Sequence, residues 1–145
     1  MTEARKIESA LLDESYYVCT HKSGLEVYVY PKEMTSSYAI FATKYGSVDN
    51  RFKLEGDSDF TEVPDGIAHF LEHKLFETEE GEDTFQRYAR TGASANAYTS
   101  FNQTAYLFSC TDNFYASLEI LLDFVKCSHL NLTLPHIEDM TEPSI

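Results

Sequence analysis

The chain has 145 residues, about one ordinary domain, and its 43% hydrophobic and 14% aromatic content is ample for a packed core. Twenty-four acidic residues against eleven basic ones leave a formal net charge of -13, which repels phosphates and anionic headgroups and so excludes nucleic acid and membrane surfaces as partners, favouring neutral or basic peptides. Three widely spaced cysteines without a C-x-x-C, a charged start and no apolar stretch near the ~20 residues of a membrane span fit a soluble cytoplasmic protein.

Residues 1–14 are mixed and charged and read as an amino-terminal arm, a short helix or a loosely held segment. Tyr16 to Thr20 and Leu25 to Tyr30 are β-branched and aromatic runs, and His21-Lys22-Ser23-Gly24 between them predicts a hairpin turn. Pro31 closes the second run, and Tyr38 to Tyr45 resumes an extended pattern that ends at Gly46, so the chain is expected to open with three strands. Asn50 to Glu62 is polar and acidic and reads as a loop; acidic residues gather from Glu55 to Asp65 and from Glu77 to Asp83, as expected of solvated segments.

Pro64 suits a first helical turn, and Ile67, Phe70, Leu71 and Leu75 recur at three- and four-residue steps, predicting a helix from 67 to 76 with those residues as its buried stripe. A second helix is expected from Glu82 to Arg90, stopped by Gly92. Two extended runs, Ala93 to Ser100 and Thr104 to Cys110, flank a short connection and predict a second hairpin. Residues 112–125, with Asp112 as N-cap and Phe114, Leu118, Leu121, Leu122 and Val125 apolar, predict an amphipathic helix. This order, without regular strand–crossover alternation, indicates an α+β fold with a mostly antiparallel sheet covered by helices on one face.

The chemistry concentrates on the helix from 67 to 76. His69 and His73, one turn apart, form a chelating pair for a divalent cation, and Glu72 beside them is a carboxylate able to take a proton from a metal-bound water. His69-Phe70-Leu71-Glu72-His73 is an H-x-x-E-H motif. By itself the spacing also fits a surface helix carrying two solvated histidines.

The stretch from Gly66 to Glu77 closely resembles the motif helix of the insulinase, or pitrilysin-like, zinc metallopeptidases. A second block, Gly92-Ala93-Ser94-Ala95-Asn96-Ala97-Tyr98-Thr99-Ser100-Phe101 followed by Thr104 to Ser109, resembles the strand pair that comes next in that family. The resemblance covers residues 15–125, and it divides the chain into the arm, 1–14, the amino-terminal part of a metallopeptidase domain, 15–125, and a divergent tail, 126–145.

The resemblance implies that His69 and His73 ligate Zn2+, that Glu72 is the general base, and that the reaction is peptide-bond hydrolysis. It implies too that the strand from Ala95 to Ser100 receives an extended peptide substrate, with Asn96, Ala97 and Tyr98 in contact; a plain sheet edge is the alternative for that strand. Intact family members enclose substrate between two related halves, of which this chain is expected to form part of one, with a second family-related subunit or domain as partner. The family's third ligand, a glutamate on a later helix, is expected beyond the residues that follow His73. Glu138, Glu142, His129, His136 and Cys127 in the tail could substitute for it, but none has a spacing that predicts it. The expected function is therefore a zinc-dependent peptidase; the alternatives are a non-catalytic peptide-binding subunit or an inactive truncated product of the same family.

Overall fold

The structure is a computed structural model that describes residues 4–54, 56–76 and 83–126. The chain divides into two compact units, Met1–Thr35 and Ser36–Ile145. The first is an antiparallel sheet in the order β1-β2-β3, from β1 (Arg5–Ser9), β2 (Glu14–Thr20) and β3 (Glu26–Val29). The β2–β3 hairpin follows the sequence pattern: Gly24 adopts φ 87°, the left-handed region that glycine enters without cost, and its amide donates to the His21 carbonyl at 2.9 Å. The amino-terminal segment departs from expectation. Residues 5–9 are neither helix nor loose arm but pair antiparallel with β2, Ile7 opposite Tyr16, through a turn in which Asp13 takes a positive φ of 49°. Its backbone groups are satisfied by a neighbouring strand, a possibility that composition could not reveal.

The second unit holds β4 (Ser37–Thr43), β5 (Arg51–Phe52), β6 (Thr61–Glu62), α1 (Ile67–Phe76), α2 (Thr84–Thr91), β7 (Ser94–Thr99), β8 (Thr104–Cys110) and α3 (Phe114–Val125). Its principal sheet is antiparallel in the order β4-β8-β7. The third strand expected in the opening stretch thus pairs with β8, more than sixty residues later. The acidic stretch read wholly as loop contributes the two-residue pair β5–β6, joined through Arg51 opposite Glu62.

Alternation along β8 sends Tyr106, Phe108 and Cys110 to one face, where Tyr88 of α2 and Ile120 and Leu121 of α3 close over them. Ala95 and Ala97 of β7 pack against the same cluster. Their small side chains let the helical layer approach the strand closely, and α1 lies mainly against β7. The aromatic rings interlock, Tyr88 and Phe108 at 5.8 Å and Phe108 and Phe114 at 5.6 Å between centroids. Burial pushes the Tyr88 phenol far above its ordinary range, so it remains neutral.

Local signals set the helix ends. Asp83 caps α2 by accepting from the Phe85 amide at 2.9 Å, and Gly92 ends it with φ 77°. The residue before α3 is Asn113, not Asp112; its carbonyl accepts the first helical bond from Ser117, and its side-chain amide donates to the Thr91 carbonyl. Gly46, just past β4, sits where an added Cβ would lie 2.5 Å from main-chain atoms of Phe101, Asn102 and Gln103. The next amides, Ser47 and Val48, donate to the carbonyls of Ser100 and Phe101, which ties this loop to the β7–β8 turn.

Candidate metal and peptide site

The helix α1 occupies the predicted residues, but its buried side is shifted. Ala68 and Glu72 are buried along with Ile67, whereas Phe70 and Leu71 are only half-buried. At about 100° per residue, Leu75, Ala68 and Glu72 fall within roughly 60° of one another, while Phe70 lies on the far side under the Lys74 ammonium. The stripe misplaced Phe70 because it weighed side-chain hydrophobicity, whereas the small Ala68 takes the buried side of a helix that lies mainly against β7.

The same geometry orders the motif. Going round the helix from Glu72, His69 follows after about 60° and His73 after a further 40° or so. The imidazoles are exposed and the carboxylate is buried, so the three groups occupy adjacent sectors instead of one common face. The Nε2 atoms of His69 and His73 lie 3.0 Å apart, with ring centroids at 4.7 Å. The separation is that of a hydrogen bond between the two rings, with donor and acceptor set by the tautomers.

Two nitrogens bound to tetrahedral zinc at ~2.0–2.1 Å would stand about 3.4 Å apart, a few tenths of an ångström wider than observed and within small side-chain rotations. The pair therefore fits two of the three protein ligands of a catalytic zinc site. Among the described residues no three His, Cys, Asp or Glu side chains converge to hold a metal. The substitutes His129, His136, Glu138, Glu142 and Cys127 lie outside the described residues.

Glu72 is held from the sheet side. The Thr99 hydroxyl donates to its Oε2 at 2.6 Å, a short, charge-assisted bond. Thr99 faces the helices at the end of β7, opposite Thr104, whose hydroxyl donates to the Tyr45 carbonyl at 2.8 Å and lies 3.5 Å from the Thr99 oxygen. Sequence reasoning missed Thr99. The period-2 alternation that puts Ala95, Ala97 and Thr99 on one face was the available signal.

Asn96, Ala97 and Tyr98 all lie on β7, an edge strand among the described residues. Asn96 and Tyr98 are exposed on the face away from the helices, and the Tyr98 hydroxyl accepts from the Gln103 amide. Ser100 donates to the Gln103 carbonyl at the turn, so residues 98 and 96 exchange bonds with β8 while the main-chain groups of Ala95, Ala97 and Thr99 point to the bare edge. The Ala97 amide, accordingly, donates to the Asn96 side-chain oxygen at 2.8 Å.

The sequence profile of the family described as Insulinase (Peptidase family M16) matches residues 58–138, more than half of the chain and both blocks of the candidate site. The chain belongs to the insulinase family. It is 54% identical over 123 residues to the zinc protease YmfH of Bacillus subtilis, covering 84% of this chain and 28% of that protein. It is 45% identical over 65 residues to the insulin-degrading enzyme-like 2 of Arabidopsis thaliana, covering 41% of this chain and 7% of that one. The fold matches the crystal structure of an M16-like peptidase from Alicyclobacillus acidocaldarius with a TM-score of 0.76 and 41% identity, over 92% of this chain and 30% of the other. A protease from Helicobacter pylori matches with a TM-score of 0.65 and 28% identity, over 84% and 28%. The chain thus spans less than a third of the length of these proteins. Among the described residues no helix is long and apolar enough to cross a membrane.

Proposed function

We propose that this chain carries the metal-binding and proton-transfer portion of a zinc-dependent peptidase. The observation that supports the reading best is the imidazole pair, Nε2 to Nε2 at 3.0 Å, beside a buried carboxylate and a strand that is an edge among the described residues. His69 and His73 would hold zinc through Nε2, with the third ligand drawn from outside the described residues. Zinc so held supplies Lewis-acid polarisation of a peptide carbonyl and acidifies a water molecule.

The remaining steps fall to the chain's own groups. The outward amides and carbonyls of Ala95, Ala97 and Thr99 bind an extended peptide as an added strand, with Asn96 and Tyr98 flanking it. Glu72 accepts the proton of the attacking water and delivers it to the leaving amine. The acidic chain, with no paired cysteines expected, suits a cytoplasmic setting, a neutral or basic peptide as substrate, and a second family-related subunit or domain to enclose that substrate.

Calorimetric titration with zinc tests the reading. One zinc per chain is expected for the native sequence and none for a His69→Ala, His73→Ala double variant, with hydrolysis of an unstructured peptide lost in Glu72→Gln and on chelation. Equal zinc binding by the double variant would falsify it. A second reading, a non-catalytic peptide-binding subunit, draws support from the lack of a three-ligand cluster among the described residues; it is favoured if peptide binds, with zinc present, and is never cut.

A further inference from the structure

Glu72 presents two chemically equivalent oxygens in unequal surroundings. Oε2 accepts the Thr99 hydroxyl at 2.6 Å. For Oε1 no hydrogen-bond partner stands among the described residues, and the residue as a whole is only 8% exposed. A glutamate side chain has three rotatable bonds, and on a helix border it would ordinarily sample several rotamers, some of them swung into water.

We infer that Thr99 is the positioning residue for Glu72: its hydroxyl pins Oε2 against the sheet, so that Oε1 alone is presented as the proton acceptor. This rests on the peptidase reading and assigns it a residue outside the H-x-x-E-H motif. The support behind Thr99 is itself ordered. Thr104, directly across the strand pair, is anchored to the Tyr45 carbonyl and stands 3.5 Å from the Thr99 oxygen, limiting the rotation of that hydroxyl. Tyr45 precedes Gly46, whose tight seating against the β7–β8 turn fixes that carbonyl relative to both strands. A hydroxyl supplied from a strand is a stiffer guide than one on a loop, because the ladder with β8 sets its direction.

Comparison of Thr99→Val with Thr99→Ser in the full chain tests this. Valine keeps shape and strand preference but removes the hydroxyl; serine restores it. Side-chain NMR couplings of Glu72 are expected to report one rotamer in the native protein and in Thr99→Ser, and rotamer averaging in Thr99→Val. Zinc affinity measured alongside should stay within about threefold in all three, since a tenfold change would be ~1.4 kcal/mol and the imidazoles do not touch Thr99. A single Glu72 rotamer persisting in Thr99→Val, or averaging in Thr99→Ser equal to that of valine, overturns the positioning role. Failure of the peptidase reading looks different: zinc does not bind the native chain, while Glu72 still responds to the hydroxyl.

Discussion

The two units use the same materials to different effect. In Met1–Thr35 the rings of Tyr16 and Tyr30 stack at 4.7 Å on a three-stranded sheet, yet Tyr28 and Tyr30 remain more than half exposed. In the second unit Tyr88 and Phe108 sit at a looser 5.8 Å and are 1% and 0% exposed, because helices lie over the strands. Ring–ring contact is thus a poor measure of burial. A sheet withdraws its aromatic side chains from water when a second layer covers it, and the layer that does so here also carries the histidines and Glu72.

That contrast can be broken by substitution. Phe108→Ala removes a fully buried ring and is expected to lower unfolding stability by about 3–5 kcal/mol, whereas Tyr30→Ala should cost only about 0.5–1.5 kcal/mol. Equal losses in urea titration would show that the exposed stack is as strongly held as the core. Gly46→Ala comes next. Its methyl group meets main chain that cannot yield like a flexible side chain, so a loss of about 1–3 kcal/mol is expected, with hydrogen-exchange protection falling first at the Ser100–Gln103 turn. The smallest effect is assigned to Arg87→Ala. Both of its terminal nitrogens lie 3.1 Å from one Asp123 oxygen, bridging α2 to α3 in a partly exposed position, and the change should cost at most about 1 kcal/mol. A larger loss would mean that charge, not apolar burial, holds the helical layer.

Elements whose causes lie within a few residues were legible in the sequence. Helix α1 followed from Pro64 and the apolar periodicity, α2 ended at Gly92 as expected, and the β7–β8 hairpin had the correct span. What escaped depends on partners far along the chain. Strand β1 exists because β2 is beside it, and β4 belongs with β8 because of pairing across some sixty residues. The candidate site divides the same way. The imidazole pair is set by one helical turn, but the inward setting of Glu72 depends on Thr99, which only the folded sheet brings to it.

The hydrogen bond from the Ala97 amide to its own neighbour Asn96 has a consequence for anything that docks along β7. The most central of the outward amides is already engaged, so a newcomer must displace an acceptor tethered to the same strand. Short fragments, offering one or two carbonyls, compete badly against such a built-in rival. A longer extended segment would recover that loss through the positions on either side.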